Sequence, residues 1–244
     1  MKKVCAAILS LVLTLCLTSA AFAAESVKPN LDMKLIEASK IAYLDLEDAS
    51  PKMREEILAA REEIIFSTDW VADGYTACVE DLDGNVIRIL PTFSEVFPDW
   101  DLPVSDPTWE SDVQMDSNCP QVMDTPAASS DGWTWEGYYT HYLTAPGNVI
   151  SEPFAEVYVD PQRVGHTIRA YAISFSSYRT RNCNIGFTDS MTGESLAYAT
   201  RLKVGEACKV TGVRMKFVGI RASTYSTPGQ ADFQVDGWGA TFTV

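Results

Sequence analysis

Histidine is scarce: His141 and His166 are the only two in 244 residues, and neither lies in a motif that would make it a catalytic base or a metal ligand. The patterns G-x-S-x-G, H-E-x-x-H and S-x-x-K are absent too, so serine-nucleophile and zinc-hydrolase chemistry lacks a recognisable origin here. No C-x-x-C knuckle exists, which argues against a zinc site built from cysteines. Beyond residue 23 no apolar run reaches the roughly 20 residues a membrane-spanning helix needs. Internal repeats, low-complexity tracts and heptads are missing, which excludes solenoid and coiled-coil architectures.

Basic residues are also few. Against 33 acidic residues stand 19 basic ones, for a formal charge of −14. Such a field repels nucleic acid and anionic membrane surfaces, and it favours solubility, cation binding or a basic partner.

What is present begins with residues 1–23. Lys2 and Lys3 precede an apolar run from Val4 to Leu17, and the segment closes on Ala21, Phe22 and Ala23. A basic start, an apolar middle and a small-x-small end predict a cleaved signal peptide and a secreted, extracellular product, of bacterial type by its short start. Leu15 before Cys16 speaks against lipid anchoring. Losing Lys2 and Lys3 makes the mature chain more acidic still.

Cleavage would remove Cys5 and Cys16 and leave Cys78, Cys119, Cys183 and Cys208. An even number in an oxidising compartment predicts two disulfides. Of the three pairings, the sequential one is expected: Cys78 and Cys119 flank one irregular region, and Cys183 and Cys208 flank one strand pair.

From Asn30, Leu31, Leu35, Ala38, Ala42 and Leu46 recur near a period of 3.6, which predicts an amphipathic helix. Ser50 and Pro51 supply an N-cap and a first-turn proline, and Met53, Ile57, Ala60, Ile64 and Ile65 form a second stripe. Residues 24–68 therefore read as an αα-hairpin. From Trp70 the period becomes two, with strands at Thr76 to Glu80 and Val86 to Leu90 around the turn residues 81–85. Six prolines and many acids between Pro91 and Ser130 read as a long loop, so residues 69–130 form a β-hairpin plus an acidic proline-rich segment. From residue 131 to 244 alternation dominates, with seven or eight strands and turn signals between them. The fold expected is α+β, mainly β: a helical hairpin followed by an antiparallel β-sandwich of jelly-roll or immunoglobulin-like type.

Aromatic residues concentrate in residues 132–142. As a strand this segment places Trp133, Trp135 and Tyr139 on one face and Tyr138 and Tyr142 on the other. Aromatic planes bind the apolar faces of sugars, so Trp133, Trp135 and Tyr139 are candidate ligand-binding residues; packing of that face into a sandwich core is the structural alternative. Asp99, Asp101, Asp106, Glu110, Asp112 and Asp116 interleave with Trp100 and Trp109 and could supply oxygens to calcium, but no calcium-loop spacing matches. Asp81, Asp83 and Asn85 begin like an EF-hand loop and lack its downstream glutamate, which leaves a hairpin turn.

Arg169, Arg201, Lys203, Lys209, Arg214 and Arg221 all fall in the β region, where intramolecular pairing with acids is expected. No cofactor, metal site or catalytic residue is assigned. The function expected is a secreted, non-catalytic envelope or extracellular module that binds a glycan or an extracellular protein. A polysaccharide hydrolase with paired carboxylates, Glu136 and Glu152 being nearest the aromatic strand, is one alternative. A structural or inhibitory protein is another.

Overall fold

The structure is a computed structural model, described for residues 30–105, 135–144, 153–159, 166–176, 181–214, 217–224 and 228–239. The expected signal segment lies outside these residues. The chain divides into two compact units, 1–60 and 61–244, with the division falling inside a helix.

Helix α1 spans Asn30–Ala42 and α2 spans Pro51–Ile65. Ser50 starts α2 as the sequence predicts: its carbonyl accepts from the Arg54 N–H at 2.8 Å and its hydroxyl from the Met53 N–H at 3.4 Å. Proline at the first helical position forfeits no hydrogen bond there. Ala38, Ala42, Ile57 and Ala60 are buried, whereas Met53 of the expected stripe is exposed.

The second unit is built on two antiparallel sheets. Strands β1 (Trp70–Val71), β8 (Ser195–Leu202), β7 (Cys183–Asp189), β10 (Phe217–Ser223) and β5 (Ala155–Tyr158) follow one another in the five-stranded sheet. The six-stranded sheet runs β3 (Val86–Ile89), β2 (Thr76–Asp81), β9 (Glu206–Val213), β6 (His166–Phe175), β11 (Gly229–Gly239) and β4 (Trp135–Leu143). The β2–β3 hairpin forms where predicted: Asn85 donates through its backbone N–H and its side-chain amide to the Asp81 carboxylate, and Gly84 takes φ +84°. That left-handed backbone is open to glycine at little cost.

Alternation along the strands sends one parity into a single core. Val79, Cys208, Ala170 and Val235 stand in register across the six-stranded sheet, and Ala199, Ile185 and Ala222 across the other. All seven belong to the same buried cluster, together with Phe187 and Phe233. Each large side chain there contributes about 1.5–3 kcal/mol through burial.

A second apolar cluster comprises Ile65, Phe66, Trp70, Phe93, Phe97 and Tyr198. Trp70 and Tyr198 are paired across β1 and β8, on the side of the five-stranded sheet away from the main core. Phe66 meets the Tyr198 ring edge-on at 5.1 Å, and Phe93 meets Trp70 at the same distance. Helix α3 (Phe93–Val96) presents Phe93, and Trp100 stacks on Phe97. Residues 91–105 thus form a packed layer where proline and acid content suggested a loop; Phe93, Phe97 and Trp100 keep the i, i+4, i+7 spacing of one helix face, but over too short a stretch, among prolines and acids, to stand out in the sequence. The rest of that expected loop, from residue 106 to 130, lies outside the described residues.

The expected disulfides are corrected. Cys78, Cys183 and Cys208 carry free thiols, and Cys119 lies outside the described residues. Cys183 sits on β7 of the five-stranded sheet and Cys208 on β9 of the six-stranded sheet. The sequential pairing expected them to flank one strand pair; they stand instead on opposite sheets, both within the shared core, as two unbonded apolar-like side chains. Cys78 is on the outward parity of β2, level with Ile89 and Lys209.

Candidate functional site

The aromatic strand is β4, and its parity decides which rings a ligand can reach. Leu143 is fully buried, and Tyr139, of the same parity, packs against the main core with its ring 5.9 Å from Phe154. His141 lies against Phe154 at 5.3 Å. Tyr139 therefore faces the interior, the structural alternative for this candidate. Trp135 is level with Gly237 in the β4–β11 pairing, while its side chain and the whole of Trp133 lie outside the described residues.

The opposite parity carries the exposed rings: Tyr138 is 63% and Tyr142 60% accessible. Each stands across from a glutamine of β11, Tyr138 opposite Gln234 and Tyr142 opposite Gln230. Between them Thr140 stands opposite Asp232. The result is a two-by-three tile of aromatic, hydroxyl, amide and carboxylate groups on the outer face of the six-stranded sheet.

Hydrogen bonds fix the tile. The Thr140 hydroxyl donates to Asp232 Oδ1 and the Ser174 hydroxyl to Oδ2, both at 2.8 Å. These two donors, Ser174 first, hold the Asp232 carboxyl below the usual carboxylate range. Gln234 Nε2 donates to Asp236 Oδ1 at 2.8 Å.

Behind the tile, on the same face, runs a buried ionic ladder. Arg169 Nε donates to Asp236 Oδ2 at 2.6 Å, and its Nη1 lies 4.0 Å from Glu80 Oε1. Lys209 Nζ pairs with Glu80 Oε2. Glu80 and Asp236 are 1% and 0% accessible, so both carboxylates depend on these cations. The Arg169 guanidinium also lies 5.8 Å from the Tyr171 ring centroid. The expected intramolecular pairing of late basic residues therefore holds at Arg169 and Lys209.

The remaining sequence candidates scatter. Glu136 is level with Asp236, and Glu152 lies outside the described residues. Of the acidic-loop residues, only Asp99, Asp101 and Trp100 are described; Trp100 is stacked on Phe97 with Arg61 5.2 Å from its ring centroid. Among the described residues no group of three or more histidine, cysteine or acidic side chains could hold a metal ion. No described helix is long and apolar enough to cross a membrane.

Sequence reasoning identified the strand and its two faces; of its three ring candidates Tyr139 faces the core, while Trp133 and the Trp135 side chain lie outside the described residues. Leu143 marks the buried parity, and the run Tyr138, Thr140, Tyr142 marks the wet one. The chain matches no protein-family model and no curated protein sequence.

Proposed function

We propose that the protein is a secreted, non-catalytic glycan-binding module whose ligand lies along β4 on the outer face of the six-stranded sheet. The observation that carries this reading is the pair of exposed tyrosines, Tyr138 and Tyr142, each backed by a glutamine and separated by the fixed Thr140–Asp232 pair. Ring planes take the apolar faces of sugar rings, and amides and hydroxyls exchange hydrogen bonds with sugar hydroxyls. Export rests on the signal-like residues 1–23.

Strand order supports a jelly roll within this reading. The eight strands β4 to β11 divide into β9-β6-β11-β4 and β8-β7-β10-β5, which is the interleaving of two Greek keys. Lectin domains use this architecture, an analogy of fold that lends weight without assigning a ligand. Helices α1 and α2, joined through residues 43–50, read as the αα-hairpin that precedes it.

Binding is favoured over hydrolysis because Glu80 and Asp236, the buried carboxylates of this face, are tied to Arg169 and Lys209. A second reading, docking of a protein partner, draws on β3, an edge strand whose Ile87 and Ile89 are 48% and 77% accessible. Retention on a panel of insoluble polysaccharides tests the first reading. Wild type should be held by at least one polymer, and a folded Tyr138→Ala/Tyr142→Ala variant should be released; equal retention of both would refute it.

A further inference from the structure

We propose that the glycan taken by this face carries a free ammonium group, so that the ligand is an amino-sugar oligomer whose cation sits at Asp232 between Tyr138 and Tyr142. This rests on the glycan reading above and narrows it to a substrate class.

Placement comes first. Thr140 lies midway between the two tyrosines on β4, and Asp232 is its cross-strand partner, so the carboxylate is centred between the two rings one strand away. It is exposed, and hydroxyls on both sides fix its position. Those donors also favour its ionised form. Tyrosine faces attract cations through their ring quadrupole, and a carboxylate flanked by two rings adds charge attraction to that.

The surrounding charge points the same way. Strands β4 and β11 contain no lysine or arginine, and Asp232 and Asp236 are on the outward parity. The cations further along this face, Arg169 and Lys209, are engaged by Asp236 and Glu80. Uronate, sulfated and phosphorylated polymers would therefore meet repulsion, and the net charge of −14 adds a long-range preference for cationic ligands.

Size and hydrogen bonding favour an oligosaccharide over a basic peptide. The two tyrosines are four positions apart, about 14 Å along a strand, which exceeds one sugar ring. Gln230 and Gln234 flank the carboxylate with amides able both to donate to and accept from ring hydroxyls.

Isothermal titration of the full chain with a glucosamine hexamer, its fully N-acetylated counterpart and pentalysine, at mildly acid pH, tests the inference. The glucosamine hexamer should bind about tenfold more tightly than the acetylated one. Asp232→Asn, verified as folded by circular dichroism, should erase that difference, added salt should shrink it, and Tyr142→Ala should weaken the glucosamine hexamer. Equal affinity for the two hexamers, unchanged in Asp232→Asn, would overturn the ammonium inference and leave the glycan reading standing. Pentalysine matching the glucosamine hexamer would overturn the amino-sugar assignment in favour of a basic peptide. Binding of neither hexamer would overturn the inference, and failure of the polysaccharide panel as well would remove the glycan reading itself.

Discussion

Thr140 on β4 and Asp232 on β11 face each other across the edge of the six-stranded sheet, and the Thr140 hydroxyl donates to Asp232 Oδ1 at 2.8 Å. The contact fixes an exposed carboxylate midway between two exposed tyrosine rings. A charge held in this way is already oriented before a ligand arrives, which lowers the ordering cost of binding.

The Asp232 titration should report those bonds. Its folded pKa is depressed below 3.8, so the stability it contributes is present above the unfolded value and is lost as pH falls through the folded one. A carbon-detected carboxyl titration should place its midpoint below that of exposed aspartates, and Ser174→Ala or Thr140→Val should each move it up. An unshifted midpoint in wild type would contradict the geometry.

Arg169 is expected to matter most to stability among the surface-layer charges. It contacts two carboxylates that are almost inaccessible, so Arg169→Met removes a compensating cation from both. Urea unfolding should record a loss of about 3–5 kcal/mol. Lys52→Ala, which breaks only an exposed helix pair with Glu56, should change stability by less than about 0.5 kcal/mol. Similar losses in the two variants would mean that the ladder is not buried.

Gly193 ties residues 103–105 to the β7–β8 turn. Its φ is +75°, and a Cβ there would lie 1.8 Å from the Ser105 carbonyl oxygen, a backbone atom that cannot swing aside. Gly193→Ala should therefore cost more than the roughly 1–2 kcal/mol of left-handed strain alone. Gly84→Ala, at φ +84° with open space around it, should cost only that strain. Thermal unfolding of the pair compares them directly, and equal shifts would show that Ser105 is not held against the turn.

The thiols should separate by burial. Desolvation pushes Cys183 and Cys208 far above the ordinary thiol range, and both side chains are inaccessible in the core. Half-buried Cys78 is raised as well, chiefly by desolvation, with Lys209 opposing. Pulsed iodoacetamide labelling should modify Cys78 first and reach the other two only on unfolding. A linked Cys183–Cys208 peptide under non-reducing conditions would instead restore the disulfide the sequence suggested.

Much of the architecture was legible in the sequence because it follows from local chemistry. Ser50 and Pro51 announce α2, residues 81–85 announce a hairpin, and period-two alternation announces the strands. Long-range relations were not legible. Cys183 and Cys208 are close in sequence, yet nothing local states that the chain changes sheets between β8 and β9. Phe93, Phe97 and Trp100 keep a helical i, i+4, i+7 spacing for only two turns among prolines and acids, so they resemble a loop until their cluster with Trp70 is known. At the candidate site the strand was found, but its parity depended on Leu143, a single apolar residue beside many aromatics that suit either face. The ladder of Glu80, Arg169, Lys209 and Asp236 joins four strands spread over more than 150 residues, and only cross-strand register brings them together.

The measurement that bears most directly on the glycan-binding face is native affinity electrophoresis through gels containing soluble polysaccharides, glycol chitosan and hydroxyethyl cellulose among them. Wild type, Tyr138→Ala/Tyr142→Ala and Ile87→Ala/Ile89→Ala would be run side by side. Retardation of wild type and of the β3 variant, lost in the tyrosine variant, is the predicted result. Equal mobility of the wild type and the tyrosine variant in every gel would contradict a ligand site on the outer face of β4.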